Sequence, residues 1–194
     1  MNAFTKRTFT LPLLAASAAA AVRRLPVAVQ ALRQPVTSRA LQEQVMLAVT
    51  GVNDCRYCDW VHTGLALQEG VDVAALHREL SGAGHALSER EAVAVFFAQH
   101  FADTVRQPTP EAVARLQARF TPAEQQEILA FIHLIYFANL SGNSMDALLA
   151  RLAGREVPDG HLAAELLAGL LAAPILAGIR LRSHGRTDRP LAAL

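Results

Sequence analysis

The sequence predicts an all-α fold, and three observations predict it. Helix-start signals recur along the chain: Ser38, Ser88 with Glu91, Thr109 before Pro110, and Thr121 before Pro122 with Glu124. Strand-like alternation and hairpin turns are almost absent. Residues 128–140 are apolar on nearly every side, broken only by His133 and Asn139, as expected of a helix running inside a bundle. Composition agrees. Of 194 residues 52% are hydrophobic and 18% charged, which excludes disorder and supports one sizeable core. Eighteen Lys and Arg against seventeen Asp and Glu leave a net charge of +1, so no basic field argues for a nucleic-acid partner. Two cysteines exclude a disulfide-stapled scaffold.

Taken in order, residues 1–36 form an N-terminal helical segment. Lys6 and Arg7 precede the Leu- and Ala-rich residues 11–22, which loosely fit a signal peptide. Pro12 near the start, Arg23 and Arg24 directly after, and helical patterning through Leu32 favour an ordinary packed helix. Residues 37–158 form the helical core. Ser38 opens a helix over 41–49 that Gly51 is expected to stop. Asn53 and Asp54 offer N-caps for a segment reaching Glu69 and ended by Gly70. Asp72 caps a short helix to Leu80, and the Ser88 box opens one to about Thr104, in which Phe96, Phe97 and Phe101 read as core. After the helices at Pro110 and Pro122, a further helix is expected over 145–152, ended by Gly154. Asn139 and Asn143 read as helix-end residues. Residues 159–194 hold a final apolar helix over 162–179 and a tail. Glu165, Pro174 and many Ala and Gly favour a packed or subunit-interface helix over a membrane span, although Arg180 and Arg182 would suit a lipid interface.

The chemistry concentrates in one stretch, Cys55-Arg56-Tyr57-Cys58-Asp59-Trp60-Val61-His62. On a helix beginning near Asn53 or Asp54, Cys55, Cys58 and His62 stand at i, i+3 and i+7 and share one face. Cys55 falls in the first turn, where unpaired N–H groups and the macrodipole favour a thiolate. The thiolate is the nucleophile of thiol chemistry. Two sulfurs at this spacing can also close a disulfide, the second requirement of a redox cycle. His62 can exchange protons one turn beyond Cys58. Glu43 lies on the preceding helix and, beside a histidine and two thiols, can relay them.

This pattern of Glu43, eleven residues, Cys55, two residues, Cys58, three residues and His62 resembles the active site of AhpD-like alkylhydroperoxidases in the carboxymuconolactone decarboxylase superfamily. The resemblance covers about residues 41–80. It implies an all-helical, AhpD-like bundle that forms homo-oligomers and reduces a hydroperoxide with electrons from a thiol or dithiol reductant, protein or small molecule. No bound cofactor or metal is implied. Cys58 would attack the peroxide and become a sulfenate, Cys55 would resolve it to a disulfide, and Glu43 and His62, with a water, would relay protons. Better-known members carry a histidine just before the second cysteine, where Tyr57 stands here, and their motif falls late in the chain. Substrate and physiological reductant therefore do not transfer.

Rival readings remain beside this one. Cys55, Cys58, His62 and Glu43 are four possible zinc ligands, but without the marked spacing of structural zinc sites. A c-type haem needs histidine directly after the second cysteine, where Asp59 stands. A helical protein in which the pair senses redox state without turnover is the alternative from another class. Decarboxylation of a muconolactone has no need of a dithiol. His133 reads as a core histidine bonded to a carbonyl, and His77, His85, His100, His161 and His184 as surface residues. Trp60 and Tyr57 are expected to pack around the sulfurs. A cycling dithiol suits a reducing cytoplasm, and membrane contact is not favoured.

Overall fold

The computed structural model describes residues 3–182, so His184 lies outside the described residues. Among them the chain is all-helical, in the order α1 (Leu11–Arg33), α2 (Arg39–Asn53), α3 (Arg56–Gln68), α4 (Val73–Leu80), α5 (Glu89–Asp103), α6 (Pro110–Arg119), α7 (Pro122–Leu152) and α8 (Leu162–Arg182). The capping residues behave as their chemistry dictates. The Ser38, Asp72, Ser88, Thr109 and Thr121 side chains each accept a first-turn N–H, and Ser88 with Glu91 and Thr121 with Glu124 close full capping boxes.

The bundle is organised around α7. Its 31 residues pack against α1, α2, α3 and α8, and Ile128, Ala130, Ile132, Ile135, Tyr136 and Leu140 lie within the core. α2 lies between α5 and α7 through Val45, Leu47 and Val49. α1 and α7 are long and apolar enough to cross a membrane by length and composition. In α7, 67% of the most apolar window is buried, as befits a core helix. α1 turns Ala20, Ala21, Ala28 and Ala31 inward and leaves Val22, Leu25 and Leu32 exposed.

Three expectations are corrected. α2 runs through Gly51 to Asn53 and stops at Asp54, whose φ of 53° is left-handed. Asp tolerates that conformation because its short polar chain costs little there, so the stop falls three residues later than the glycine suggested. Asn53 is thus the last residue of α2, not an N-cap, and its buried side chain accepts from Arg7 at 3.4 Å. The second correction concerns residues 141–144, Ser-Gly-Asn-Ser. They read as a break, yet α7 continues through them and no separate helix exists over 145–152. Asn139 and Asn143 are therefore mid-helix and fully buried. Asn143 donates to the carbonyls of Asn53 at 2.6 Å and Arg7 at 3.1 Å, and Asn139 meets Thr50 at 3.2 Å. Packing overrides local propensity at these positions. Third, Phe97 and Phe101 are core, but Phe96 is 40% exposed, since three aromatics in successive register cannot share one helix face.

Buried charges fasten the ends of the bundle. Glu127 of α7 accepts from the Val36 N–H at 3.0 Å, the Thr37 N–H at 2.8 Å, the Thr37 hydroxyl and Gln42 Nε2 at 3.0 Å. Glu165, which interrupts the apolar pattern of α8, is fully buried and receives both Arg151 Nε at 2.7 Å and Nη2 at 3.2 Å. This ion pair holds α8 against α7. Replacing Glu127 with Ala leaves four donors without their acceptor in a dry site. The expected loss is about 2–4 kcal/mol of unfolding free energy in urea melts. A loss below about 0.5 kcal/mol contradicts a fastening role.

Candidate functional site

The site is built at the corner between α2 and α3 and on the face of α7 that meets it. Left-handed Asp54 turns the chain so that Cys55, in an extended conformation, becomes the N-cap of α3. Cys55 therefore stands one step before the first turn, not within it. Cys58 is the third residue of the helix, and the two sulfurs lie 2.8 Å apart as free thiols. At that separation only a small movement is needed to close a disulfide.

The two thiols are not equivalent. Cys55 is 1% exposed, whereas Cys58 is partly exposed. The bond to the Cys58 thiol favours the Cys55 thiolate, burial opposes it, and the first-turn N–H groups of Cys58 and Tyr57 favour it again; the balance lowers Cys55 below the ordinary thiol range. Cys58 moves the other way, raised by its bond to Cys55, by burial and by the neighbouring charges of Cys55 and Asp59. The two shifts run in opposite directions, favouring the thiolate at Cys55 and the thiol at Cys58.

α7 fixes this corner from behind. Gly142 faces Cys55: a Cβ at that position would come within 2.9 Å of the Cys55 sulfur and 3.2 Å of the Tyr57 ring. One turn on, Asp146 accepts from the Tyr57 hydroxyl at 2.5 Å and from Arg56 Nη2 at 2.7 Å. Arg56 also donates to the Tyr57 hydroxyl at 2.9 Å, and its guanidinium lies 4.9 Å from that ring's centroid. Burial and the bond to Asp146 push the Tyr57 hydroxyl far above its usual range, so it acts as a permanent donor. Tyr57 thus packs beside the Cys55 sulfur and spends its hydroxyl on Asp146.

The second pair lies one helical turn from the first. His62 follows Cys58 at i+4, so both share one face of α3. Its Nδ1 meets Glu43 Oε2 at 2.8 Å, and both side chains are only 13–17% exposed. A carboxylate on Nδ1 orients the ring and leaves Nε2 as the nitrogen for proton exchange. All four sequence-derived residues therefore fall into two bonded pairs, Cys55 with Cys58 and Glu43 with His62, linked through α3. As a metal set they are less apt: among the described residues no three His, Cys, Asp or Glu side chains group as ligands.

His133 lies elsewhere, buried against Phe101 with ring centroids 4.8 Å apart and no carbonyl bond among the described residues. A cleft lined by Lys6, Arg7, Asn53, Asp54 and Asp159 adjoins the corner without including either sulfur. Sequence reasoning missed Asp146 and Gly142. The signal for Asp146 was present, since a lone acid in an apolar helix needs a buried donor. Nothing local marks Gly142, whose role exists only once α3 is docked.

No family model, curated protein or solved structure matches the chain. The likeness to AhpD-like enzymes rests on the motif.

The lowering of Cys55 by its Cys58 neighbour gives a direct expectation for the fully reduced protein. Thiolate ultraviolet absorbance should show one thiol titrating below the ordinary range. Cys58→Ser keeps a hydroxyl donor and should preserve this low titration. Cys58→Ala removes the donor, leaves Cys55 buried and should move it upward. A Cys55 titration that ignores Cys58→Ala contradicts the part given to the Cys58 thiol in lowering Cys55.

Proposed function

We propose that this protein is an AhpD-like dithiol hydroperoxidase working without a bound cofactor. The observation that carries the reading is the pair of free sulfurs at a helix N-terminus, 2.8 Å apart, with a bonded Glu–His pair one turn away. His62 takes the Cys58 thiol proton, and the thiolate so formed on this more accessible sulfur attacks the outer oxygen of ROOH. The O–O bond breaks, Cys58 becomes a sulfenic acid, and its former proton passes by way of His62 to the departing alkoxide, giving ROH. Glu43 stabilises the imidazolium that forms in transit. The Cys55 thiolate, already favoured by its surroundings, then attacks the Cys58 sulfenic sulfur. A disulfide forms and hydroxide leaves, taking a proton from solvent to become water. A dithiol reductant restores both thiols and is itself oxidised to a disulfide, so the electrons balance.

The same reading places the protein in a reducing cytoplasm, where a reductant is at hand. It also makes the chain a homo-oligomer. Exposed Leu162, Leu166, Leu167, Leu170 and Leu171 on α8 supply apolar area that a second subunit would cover.

The test is steady-state consumption of cumene hydroperoxide with excess dithiothreitol. Cys55→Ser and Cys58→Ser should each abolish disulfide-linked turnover. Glu43→Gln and His62→Gln should lower it about a hundredfold while circular dichroism stays unchanged. Wild-type turnover in either cysteine variant overturns the proposal.

A further inference from the structure

α1 inverts the usual arrangement of an amphipathic helix. From residue 20 onward its buried apolar positions are alanines, Ala20, Ala21, Ala28 and Ala31, while Val22, Leu25, Val29 and Leu32 lie outside. With exposed Leu11 and Ala15 these outer side chains follow one another at spacings of three, four or seven residues, so they form one stripe along the helix. Only 28% of the most apolar window of α1 is buried, against 67% in α7. Single exposed leucines are ordinary, but a continuous apolar stripe marks a surface that meets something else.

Both ends of α1 are tied to α7. Phe9, just before it, is fully buried, and its N–H donates to Ser144 at 3.1 Å. Just after it, the Val36 and Thr37 N–H groups donate to Glu127. The helix is therefore held on the bundle and offers its outer side alone. Its charge is equally one-sided. Residues 1–42 carry Lys6, Arg7, Arg23, Arg24, Arg33 and Arg39 and no acidic residue. All seventeen Asp and Glu follow, with the other twelve of the eighteen Lys and Arg. Arg23 and Arg33 are exposed, one at the border of the stripe and one at its end. Neither makes an ion pair among the described residues.

We propose that the outer face of α1 docks on an anionic phospholipid bilayer, with the helix lying in the plane of the interface. Val22, Leu25, Val29 and Leu32 enter the acyl boundary, and Arg23 and Arg33 reach lipid phosphates at its rim. The charge distribution selects this occupant. Pairing α1 with α1 of a second copy would set one acid-free, cationic segment against another, whereas anionic headgroups supply the missing countercharge. The helix lies on the bilayer and does not span it. A span would strip the alanine side from α7 and place Arg23 and Arg24 near mid-bilayer. Composition alone does not favour membrane contact; the placement of the side chains does. The proposal stands apart from the dithiol reading, since Glu43, Cys55, Cys58 and His62 all lie outside α1.

The test is co-sedimentation of the full chain with phosphatidylcholine vesicles, with and without phosphatidylglycerol. Binding to the anionic vesicles should be about tenfold tighter or more, and should fall with added salt. Leu25→Gln combined with Leu32→Gln should weaken it about tenfold while the melting temperature stays unchanged, because both side chains are exposed. Arg23→Gln combined with Arg33→Gln should weaken binding to anionic vesicles about tenfold and leave that to phosphatidylcholine alone unchanged. If the leucine variant does not fold, the arginine variant decides. Sedimentation no greater than without vesicles, or equal with both lipids, overturns the proposal. So does binding by both variants equal to wild type. A lipid-free oligomer that falls apart in the leucine variant shows that a second copy covers the face, and also overturns it.

Discussion

The docking of the first turn of α3 onto α7 is the contact on which the rest of the site depends. Cys55 can cap its helix while buried because Gly142 presents no Cβ. Asp146 then holds Arg56 and Tyr57, so the three residues from Cys55 to Tyr57 are fixed at three points. A thiol held against a helix at that place has a lowered proton affinity whatever its later chemistry. The docking also fixes which sulfur is covered, so that Cys55 is buried and Cys58 partly exposed.

α7 supplies more than a wall. Along its length it presents Glu127 to the α1–α2 connection, Asn143 to the α2–α3 corner, Asp146 to α3 and Arg151 to α8. Glu127, Asn143 and Asp146 are buried, Arg151 reaches the buried Glu165, and each bonds a neighbour in another part of the chain, the arrangement in which burial of polarity specifies geometry. The N-terminal segment joins the same scheme. Lys6 donates to the Asp54 carbonyl at 2.7 Å, and the Phe9 N–H donates to Ser144 at 3.1 Å. Residues far apart in sequence thereby brace the turn that precedes Cys55.

The helical class, the caps and the shared helix face of Cys55, Cys58 and His62 were legible in the sequence because they are local. Ser-x-x-Glu spacing, an apolar run and a Cys-x-x-Cys-x-x-x-His face need only helical periodicity to be read. Glu43 needed more, and its pairing with His62 followed only from the motif's resemblance. What stayed hidden is long-range. Residues 141–144 carry a loop-like composition, and only contact with α3 and the N-terminal segment explains why they are helical. Gly51 looked like a stop although Asp54 performs that role, because the preference for a left-handed residue does not name which candidate takes it.

The central claim is that Cys55 and Cys58 complete a peroxide-driven dithiol cycle. Intact-mass analysis of the fully reduced protein after one equivalent of cumene hydroperoxide tests it most directly. Rapid loss of about two mass units in the wild type is predicted, with a trapped sulfenate, about sixteen units heavier, in Cys55→Ser. A sulfenate in Cys58→Ser instead would reverse the two roles. An unchanged mass, with no reaction above that of a free thiol, would contradict the account.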